Sequence, residues 1–419
     1  MNTKLLKQRI LDLAIHGRLV PQNPDDEPAS QLLRRISEEK EKLIAQGKIK
    51  RPKKSDAVNP AQECPFEIPN SWEWVRLGDY ITIKSGDSLK VRNNQDGLYP
   101  IYGGNGINGH YDNYNIESET LIIGRVGFYC GCVHLSKTRA WITDNAFIVS
   151  FDNVFDIYFL FHLLKWLDLG KTSNSTAQPV VSGKGIYPLQ IPLPPLAEQQ
   201  RIVSAIEKWF SLIDEIETNK ESLQAAIKQT KSKVLDLAIK GKLVKKTDEW
   251  KMVTLGEIFS HTTGKALKKS NSNGTLRKYI TTSNLYWNSF DLSEVRSMYF
   301  TDEELDKCTA KNGDLLVCNG GDVGRAAIWS YDYDICLQNH ISKLRPQSSE
   351  INNKFYLYVL WIKKIKGEMN GKGVAITSLS AKDLLSLSVP LPPLSEQTRI
   401  VSKIEEIFAL LDEIERELA

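Results

Sequence analysis

Ile191-Pro192-Leu193-Pro194-Pro195-Leu196-Ala197-Glu198-Gln199 returns, displaced by 198 residues, as Val389-Pro390-Leu391-Pro392-Pro393-Leu394-Ser395-Glu396-Gln397. The match runs on from Arg201-Ile202-Val203-Ser204 to Arg399-Ile400-Val401-Ser402, and from Asp214-Glu215 to Asp412-Glu413. Past Glu217 the first copy continues into Val234-Leu235-Asp236-Leu237-Ala238-Ile239-Lys240-Gly241-Lys242-Leu243-Val244, whereas the second stops at Ala419. The missing piece stands at the other end, as Ile10-Leu11-Asp12-Leu13-Ala14-Ile15-His16-Gly17-Arg18-Leu19-Val20. The chain therefore reads as a circularly permuted tandem repeat, and such self-similarity governs the rest of the reading.

Between Glu198 and Lys240, apolar residues recur at Ile202, Ile206, Trp209, Ile213, Ile216, Leu223, Ile227, Val234 and Leu237, in the three-and-four spacing of a coiled-coil seam. Pro194-Pro195 stands before this helix, where amide hydrogens are dispensable, and Gly241 follows it, where a left-handed cap is wanted. Such a helix spans roughly 65 Å, more than one globular domain needs. The second copy starts its helix at Ser395 as N-cap, with Ile400, Ile404, Ile407, Leu411 and Ile414 on the seam. Lys4 to Ile15, closed by Gly17, carries the complementary part. The economical way to bury these faces is for the chain termini to meet and together pair antiparallel with the central helix. Ser30 to Gly47 reads as a further helix capped by Ser30, a decoration before a basic linker.

Segments 70–190 and 250–388 are rich in Gly, Asn, Thr and aromatics, with strand-like runs at Thr120–Ile123, Ala146–Val149 and Asp314–Val317 and one internal helix each, Asn153 to Leu169 and Asn352 to Lys366. They align only at landmarks: Leu77-Gly78 with Leu255-Gly256, Gly86 with Gly264, Val126-Gly127 with Val323-Gly324, Ala177 with Ala375, Ser182 with Ser380, Lys184 with Lys382. Near-identical helices that hold divergent domains suit one scaffold displaying two recognition surfaces. The expected division is 1–20 N-terminal helix, 21–69 helical decoration and basic linker, 70–193 first recognition domain, 194–244 central helix, 245–391 second recognition domain, and 392–419 distal helix.

The length of 419 residues predicts about two to four domains, and 41% hydrophobic with 25% charged residues is the balance of a chain with real cores. No apolar run approaches a membrane span, and Met1-Asn2-Thr3-Lys4 leads into a charged amphipathic segment, so a cytoplasmic protein without a membrane partner is expected. Cys64, Cys130, Cys132, Cys308, Cys318 and Cys336 lack recurrent spacing, which predicts free thiols. Residues 1–60 carry a net charge of +5 and the remainder −2, with Lys48-Ile49-Lys50-Arg51-Pro52-Lys53-Lys54 the densest basic run. That run serves equally as a solvated linker or a nucleic-acid contact.

Gly104-Asn105-Gly106-Ile107-Asn108-Gly109 fits a dinucleotide fingerprint, but His110-Tyr111-Asp112-Asn113 starts no helix, so a Gly/Asn-rich ligand loop is the better reading. No P-loop, HExxH or metal-spaced histidines occur, and the acid pairs at 214–215 and 412–413 lie on amphipathic helices, where solvated or interhelical roles prevail. No metal site or active site is expected. Side chains able to read base edges gather in the variable loops. In the first domain they are Lys84, Ser85, Lys90, Arg92, Asn105, Arg125 and Asn145. In the second they are Lys265, Lys268, Lys269, Arg277, Lys278, Asn319, Arg325 and Asn339.

The duplicated P-L-P-P-L-x-E-Q and L-D-L-A-I-x-G-[KR]-L-V segments, with Gly313-Asp314-Leu315-Leu316 leading to Gly321-Asp322-Val323-Gly324-Arg325 and the looser Tyr99–Gly106 and Ile122–Gly127 stretches, make the chain resemble a specificity (S) subunit of a type I restriction-modification system. The resemblance covers nearly the whole chain, least at 22–66. It implies a mixed α/β fold: two globular α/β target recognition domains joined and separated by long antiparallel coiled-coil helices in a pseudo-twofold circular arrangement. It implies a non-catalytic subunit that reads an asymmetric bipartite site in double-stranded DNA. Two methyltransferase (M) subunits would dock on the helices, with Glu198, Gln199, Arg201, Glu396, Gln397 and Arg399 as docking candidates, and restriction (R) subunits would join. S-adenosylmethionine, ATP and Mg would belong to those partners, with no cofactor in this chain. Two rivals stand beside it: a stand-alone DNA methyltransferase or nuclease with degenerate motifs, and a coiled-coil adaptor with two ligand-binding modules.

Overall fold

A computed structural model of the chain describes residues 2–47, 65–89, 97–174, 179–247, 249–267, 273–369 and 378–418. The basic run 48–54 lies outside the described residues. The chain divides into two compact units, Met1–Thr218 and Asn219–Ala419.

Unit 1 opens with helices α1 (Thr3–Ile15) and α2 (Ala29–Ala45). Its strands follow: β1 (Glu73–Arg76), β2 (Ile81–Ser85), β3 (Tyr99–Gly103), β4 (Gly106–Tyr111), β5 (Thr120–Gly124), β6 (Val133–Ser136), β7 (Trp141–Ile142) and β8 (Ala146–Phe151). Helix α3 (Ile157–Leu167), the turn α4 (Gly183–Ile186), strand β9 (Gln190–Leu193) and the first part of the 44-residue helix α5 (Leu196–Ile239) complete it. Unit 2 takes the rest of α5, then β10 (Lys251–Thr254), α6 (Leu255–Ile258), β11 (Phe259–Thr263), β12 (Thr275–Ile280), β13 (Leu285–Tyr286), β14 (Ser289–Phe290) and β15 (Arg296–Phe300). It continues through α7 (Asp302–Cys308), β16 (Thr309–Ala310), β17 (Leu315–Cys318), β18 (Ala326–Ile328), β19 (Ile335–Leu337) and β20 (Ile341–Pro346). Helices α8 (Asn353–Ile365) and α9 (Ala381–Leu385), strand β21 (Ser388–Leu391) and helix α10 (Leu394–Glu417) end it.

The two units share one topology. A four-stranded sheet runs β2-β8-β5-β6 in the first and β11-β20-β17-β18 in the second; a second sheet runs β4-β3-β7 and β15-β12-β19-β16; and a two-stranded ribbon pairs β1 with β9 and β10 with β21. Alternation along β5 explains the layering, because successive strand residues face opposite sides. Leu121 and Ile123 pack on Phe159, Leu160 and Leu163 of α3, while Ile122 faces Tyr102, Ala140 and Ile142 of the smaller sheet. In unit 2, Leu315 and Val317 face Phe355, Tyr356 and Val359 of α8, and Leu316 and Cys318 face Ile280, Ile335 and Leu337. Each unit is thus a helix, a sheet and a second sheet in three layers. The five described cysteines are free.

Each unit is also a whole copy of the repeat. Unit 1 opens with the L-D-L-A-I helix, α1, whose Leu11, Ala14 and Ile15 enter its core; unit 2 opens with the same motif in α5, where Val234, Leu235 and Ala238 do the same. Both motifs close on a left-handed glycine, Gly17 and Gly241, each at φ 66°. The apparent permutation is therefore a direct repeat whose junction is one continuous helix. The acid pairs serve between helices: Lys7 of α1 pairs with Asp214 of α5, and Lys231 of α5 pairs with Asp412 of α10 at 2.5 Å and with Glu415 at 3.0 Å. With Thr3 Oγ1 donating to Glu217 at 3.2 Å, these contacts set α1 antiparallel to α5 inside unit 1.

Several sequence expectations shift. The helices expected to start on Ser30 and Ser395 instead start at Ala29 and Leu394, with Pro28 and Pro393 as N-caps in extended backbone at ψ 146°, so each serine already lies inside the first turn. Helix α2 is no loose decoration, since Leu32 and Ile36 enter the unit 1 core. The seam is buried at Ile202, Ile206, Ile213, Ile227 and Val234 but exposed at Trp209, Ile216 and Leu223. Among the described residues no helix is long and apolar enough to cross a membrane.

Candidate nucleic-acid interface

Three strand ends define one corner of the larger sheet in unit 1. Ser85 closes β2, Gly124 closes β5 and Ala146 opens β8, and the pairings Ser85 with Phe147 and Gly124 with Ala146 align them. Arg125 leaves β5 there. Its Nη1 donates to Ser85 Oγ at 3.2 Å, its guanidinium lies 5.5 Å from the Phe147 ring centre, and its amide donates to the Asn145 carbonyl at 2.8 Å. Lys84 and Asn145 are exposed beside it. Gly104-Asn105 forms the two-residue tip of the β3–β4 hairpin, with Gly103 opposite Gly106. A Cβ built on Gly104 would come within 2.6 Å of the Val126 carbonyl and 3.4 Å of that of Asn145, so this tip lies against the same corner. Ser85, Arg125 and Asn145 thus gather at one place, with Lys84 on the adjoining strand position, while Asn105 lines a concavity with Tyr102, His134 and Lys165. The glycine-rich fingerprint is a hairpin turn, as its poor helix start implies.

Backbone bonds locate the matching corner of unit 2. Gly86 and Gly264 leave no room for a Cβ against the carbonyls of Ile142 and Thr143 and of Leu337 and Gln338. The Arg125 amide reaches the Asn145 carbonyl as the Asn319 amide reaches that of His340, both at 2.8 Å. The Val181 and Leu379 amides donate to the carbonyls of Arg125 and Asn319. Asn319 therefore stands where Arg125 stands, and His340 where Asn145 does. The sequence landmark that pairs Val126-Gly127 with Val323-Gly324 needs correction: Gly131 and Gly324 are equivalent, each donating to the carbonyl that ends the strand, Gly124 or Cys318. The intervening loop is one residue shorter in unit 2, which displaces the shared Val-Gly letters.

Several unit 2 candidates turn inward. Lys265 Nζ donates to Glu304 at 2.6 Å and to the Tyr299 carbonyl at 2.8 Å, with only 10% of its side chain exposed, so its charge is spent inside the unit. Asn319 is buried and donates to Ser342 Oγ at 2.8 Å; that hydroxyl lies 2.7 Å from His261 Nε2. Burial lowers the pKa of His261, in keeping with a neutral ring. Arg325 donates to the Thr282 carbonyl at 2.8 Å and stacks 5.0 Å from the Tyr286 ring centre. Asn339 is half-buried at the corner, its amide bonded to the Lys265 carbonyl at 3.0 Å. Arg277 and Lys278 are exposed on β12, lining a concavity with Tyr333 and Arg345 rather than the corner. Lys90, Arg92, Lys268 and Lys269 lie outside the described residues.

Of the docking candidates at the helix entries, Glu198, Gln199, Glu396 and Gln397 are corrected by burial, while Arg201 is half-buried and Arg399 exposed. Gln199 is fully buried: its Oε1 accepts from the Asp156 amide at 2.8 Å, and its Nε2 donates to the carbonyls of Val154 and Pro194 at 2.8 and 3.1 Å. Gln397 repeats this with the Asn352 amide at 2.8 Å and the carbonyls of Glu350 and Pro392 at 3.0 and 2.8 Å. Asp156 and Asn352 are the N-caps of α3 and α8, so each glutamine clips the internal helix to the long one. Glu198 accepts from Trp72 Nε1 at 3.0 Å and Gln22 at 2.6 Å; Glu396 accepts from Trp250 Nε1 and the Thr247 amide, both at 2.7 Å. Burial raises the Glu198 carboxyl above its ordinary value, whereas at Glu396 burial is outweighed by the Thr247 and Trp250 donors and the carboxyl is lowered. Arg201 is held by Asp26 at 2.6 Å, and Arg399 reaches the Lys245 carbonyl at 3.3 Å. The two glutamates and two glutamines fasten the units from within.

Phe128 and Tyr129, exposed in the loop after Arg125, and exposed His340 are further candidates at these corners that the sequence reading passed over. Their only sequence signal is position: an aromatic pair between Gly127 and Gly131, and a histidine next to Asn339.

A family model described as type I restriction modification DNA specificity domain matches residues 69–225 and 247–419. The chain belongs to that family. Among its relatives, the type I restriction enzyme EcoEI specificity subunit of Escherichia coli is 29% identical over 259 residues, covering 52% of this chain and 42% of that one. The EcoAI subunit of the same species is 30% identical over 56% of this chain and 43% of its own length, so the chain spans under half of these two relatives. The MjaVIII specificity subunit of Methanocaldococcus jannaschii is 25% identical over 83% of this chain and 88% of that one. Among solved structures, the HsdS subunit from Thermoanaerobacter tengcongensis matches with a TM-score of 0.55 at 20% identity, covering 85% of this chain and 94% of that one. A chain from a type I R-M system studied for complex assembly matches at 0.62, also 20% identical, over 84% and 94%. These likenesses show the fold: mixed α/β, with long helices.

Proposed function

We propose that this chain is the sequence-reading subunit of a type I restriction-modification complex, each unit reading one half of an asymmetric bipartite DNA site. The observation that carries the reading is the pair of corresponding sheet corners, built on one backbone plan and furnished differently. Lys84, Ser85, Arg125 and Asn145 stand at the first; at the second Asn319 takes the place of Arg125 but is turned inward, which leaves Asn339 and exposed His340. Dissimilar readers on one frame suit an asymmetric site as symmetric dimers suit palindromes. The chain itself is non-catalytic in this reading, and adenine methylation and cleavage belong to M and R subunits that carry S-adenosylmethionine, ATP and Mg. Docking of two M subunits, the pseudo-twofold circular arrangement, the domain limits given above and a cytoplasmic location are parts of the same proposal. Exposed Leu5, Trp209 and Ile216 in unit 1 and Leu223, Leu410 and Ile414 in unit 2 support helix-borne docking, because large apolar side chains left in water along helices suit protein contacts.

The test is binding of the complex with its M subunits to random and selected duplexes across a salt series. Log affinity is expected to fall linearly with log salt, with a sequence preference that survives it. Binding without sequence preference, or without salt dependence, overturns the proposal in favour of an adaptor.

A further inference from the structure

We propose that Phe128, with Tyr129 beside it, is an aromatic wedge that unit 1 inserts between base pairs of its half-site, and that unit 2 reads its half-site without one. This rests on the DNA-recognition reading above.

Phe128 is 86% exposed and Tyr129 51%, their rings edge to face at 5.0 Å. A phenylalanine held almost wholly in water forgoes the burial that usually stabilises it, so its placement calls for a partner surface. The loop holding it is not loose. The Cys130 amide donates to the Gly127 carbonyl at 2.9 Å, which puts the two aromatics at the tip of a tight turn. The Gly127 amide donates to the Pro179 carbonyl at 3.0 Å, and the Gly131 amide to that of Gly124 at 2.7 Å, so both feet of the turn are tied to the corner. Gly127 at φ 101° and Gly131 at φ 87° make that turn possible. The tip is therefore held on the loop that leaves the corner at Arg125, three residues on from that arginine, where Arg125, Ser85 and Asn145 supply the groups suited to base edges and phosphates. Apolar wedges of this kind unstack a base step and kink the duplex.

The internal repeat supplies the contrast. The equivalent loop in unit 2, Asn319–Gly324, carries no aromatic residue: Val323 is buried, and Asp322 is paired with Arg325 and Lys364, both at 3.6 Å. The same frame thus offers a stacking tip on one side and an acidic, ion-paired tip on the other. A protein partner for the Phe128 tip is the competing occupant.

The experiment uses the full chain assembled with its M subunits and its selected duplex, with 2-aminopurine placed singly at successive positions. Apart from the target adenines that M subunits flip out for methylation, the wild type is expected to raise the fluorescence at one step of the half-site read by unit 1 and at none in the other half. Phe128→Ala is expected to abolish that signal and to weaken binding roughly 5- to 150-fold, the range for losing one stacked base, with the salt slope unchanged because no phosphate contact is lost. Its thermal unfolding and its co-elution with M subunits should match the wild type. A Phe128→Ala complex with unaltered signal and affinity overturns the wedge alone, and failure of the variant to co-elute overturns it in favour of a protein contact. If the wild-type complex protects no specific sequence, the recognition reading falls and the wedge with it.

Discussion

Replacing Gln199 by Ala tests whether the helix-entry glutamine is an internal clip. The substitution leaves the Asp156 amide without an acceptor and the Val154 and Pro194 carbonyls without the donor they share. A buried group left unsatisfied costs about 1–3 kcal/mol, with carbonyls at the low end because each has a second lone pair. The sum is about 3 kcal/mol, concentrated in unit 1. Gln199→Glu keeps the volume and the bond to Asp156 but aims a carboxylate oxygen at two carbonyls, so at neutral pH it should cost at least as much. Hydrogen exchange on the full chain reads this directly, because the amides of 157–167 report on α3 while those of 353–365, clipped by the intact Gln397, serve as an internal reference. The expected result is faster exchange in the first set and none in the second. Unchanged protection in both, with association to M subunits lost, would refute the reasoning and return Gln199 to the docking surface.

Two further perturbations have defined signs. Burial, with Lys165 nearby, pushes the His162 pKa down to about 4, below the unfolded value near 6.5. The folded state therefore refuses a proton that the unfolded state accepts: the stability is fully present above about pH 6.5 and is lost as pH falls toward 4, by about 3 kcal/mol in all. His162→Phe should flatten that slope in denaturant unfolding followed by unit 1 probes, and parallel slopes would contradict it. Gly264→Ala would place a Cβ 2.1 Å from the Leu337 carbonyl oxygen, so unit 2 should lose about 2–3 kcal/mol in thermal unfolding; a neutral effect would show that the corner is looser than described.

The helices were the legible part, because seven-residue periodicity and a terminal glycine are written locally. The two-unit division also followed from the repeat, although its permuted look dissolved once α5 proved to end one copy and begin the next. Burial of Glu198 and Gln199 was not legible, since polar residues in a first helical turn usually face water. Only the indole of Trp72 and the N-cap of α3, both distant in sequence, bring them inside. The candidate site divided on the same ground. Ser85, Arg125 and Asn145 converge because three strand ends share a register, which a pattern of letters does not state. Lys265 and Asn319 were misjudged because Glu304 and Ser342 engage them within unit 2. The loop correspondence slipped because a Val-Gly identity outweighed a one-residue deletion that only the backbone bonds reveal.

The central claim is that each unit reads its own part of a divided DNA sequence. Selection of bound duplexes by the complex carrying wild-type chain, and again with Arg125→Ala combined with Asn145→Ala, tests it most directly. The account predicts two short specified segments around an unspecified spacer for the wild type, and in the variant relaxation of one segment with the other and the spacer intact. A single continuous site, or equal relaxation of both segments in a variant that folds and assembles normally, would contradict it.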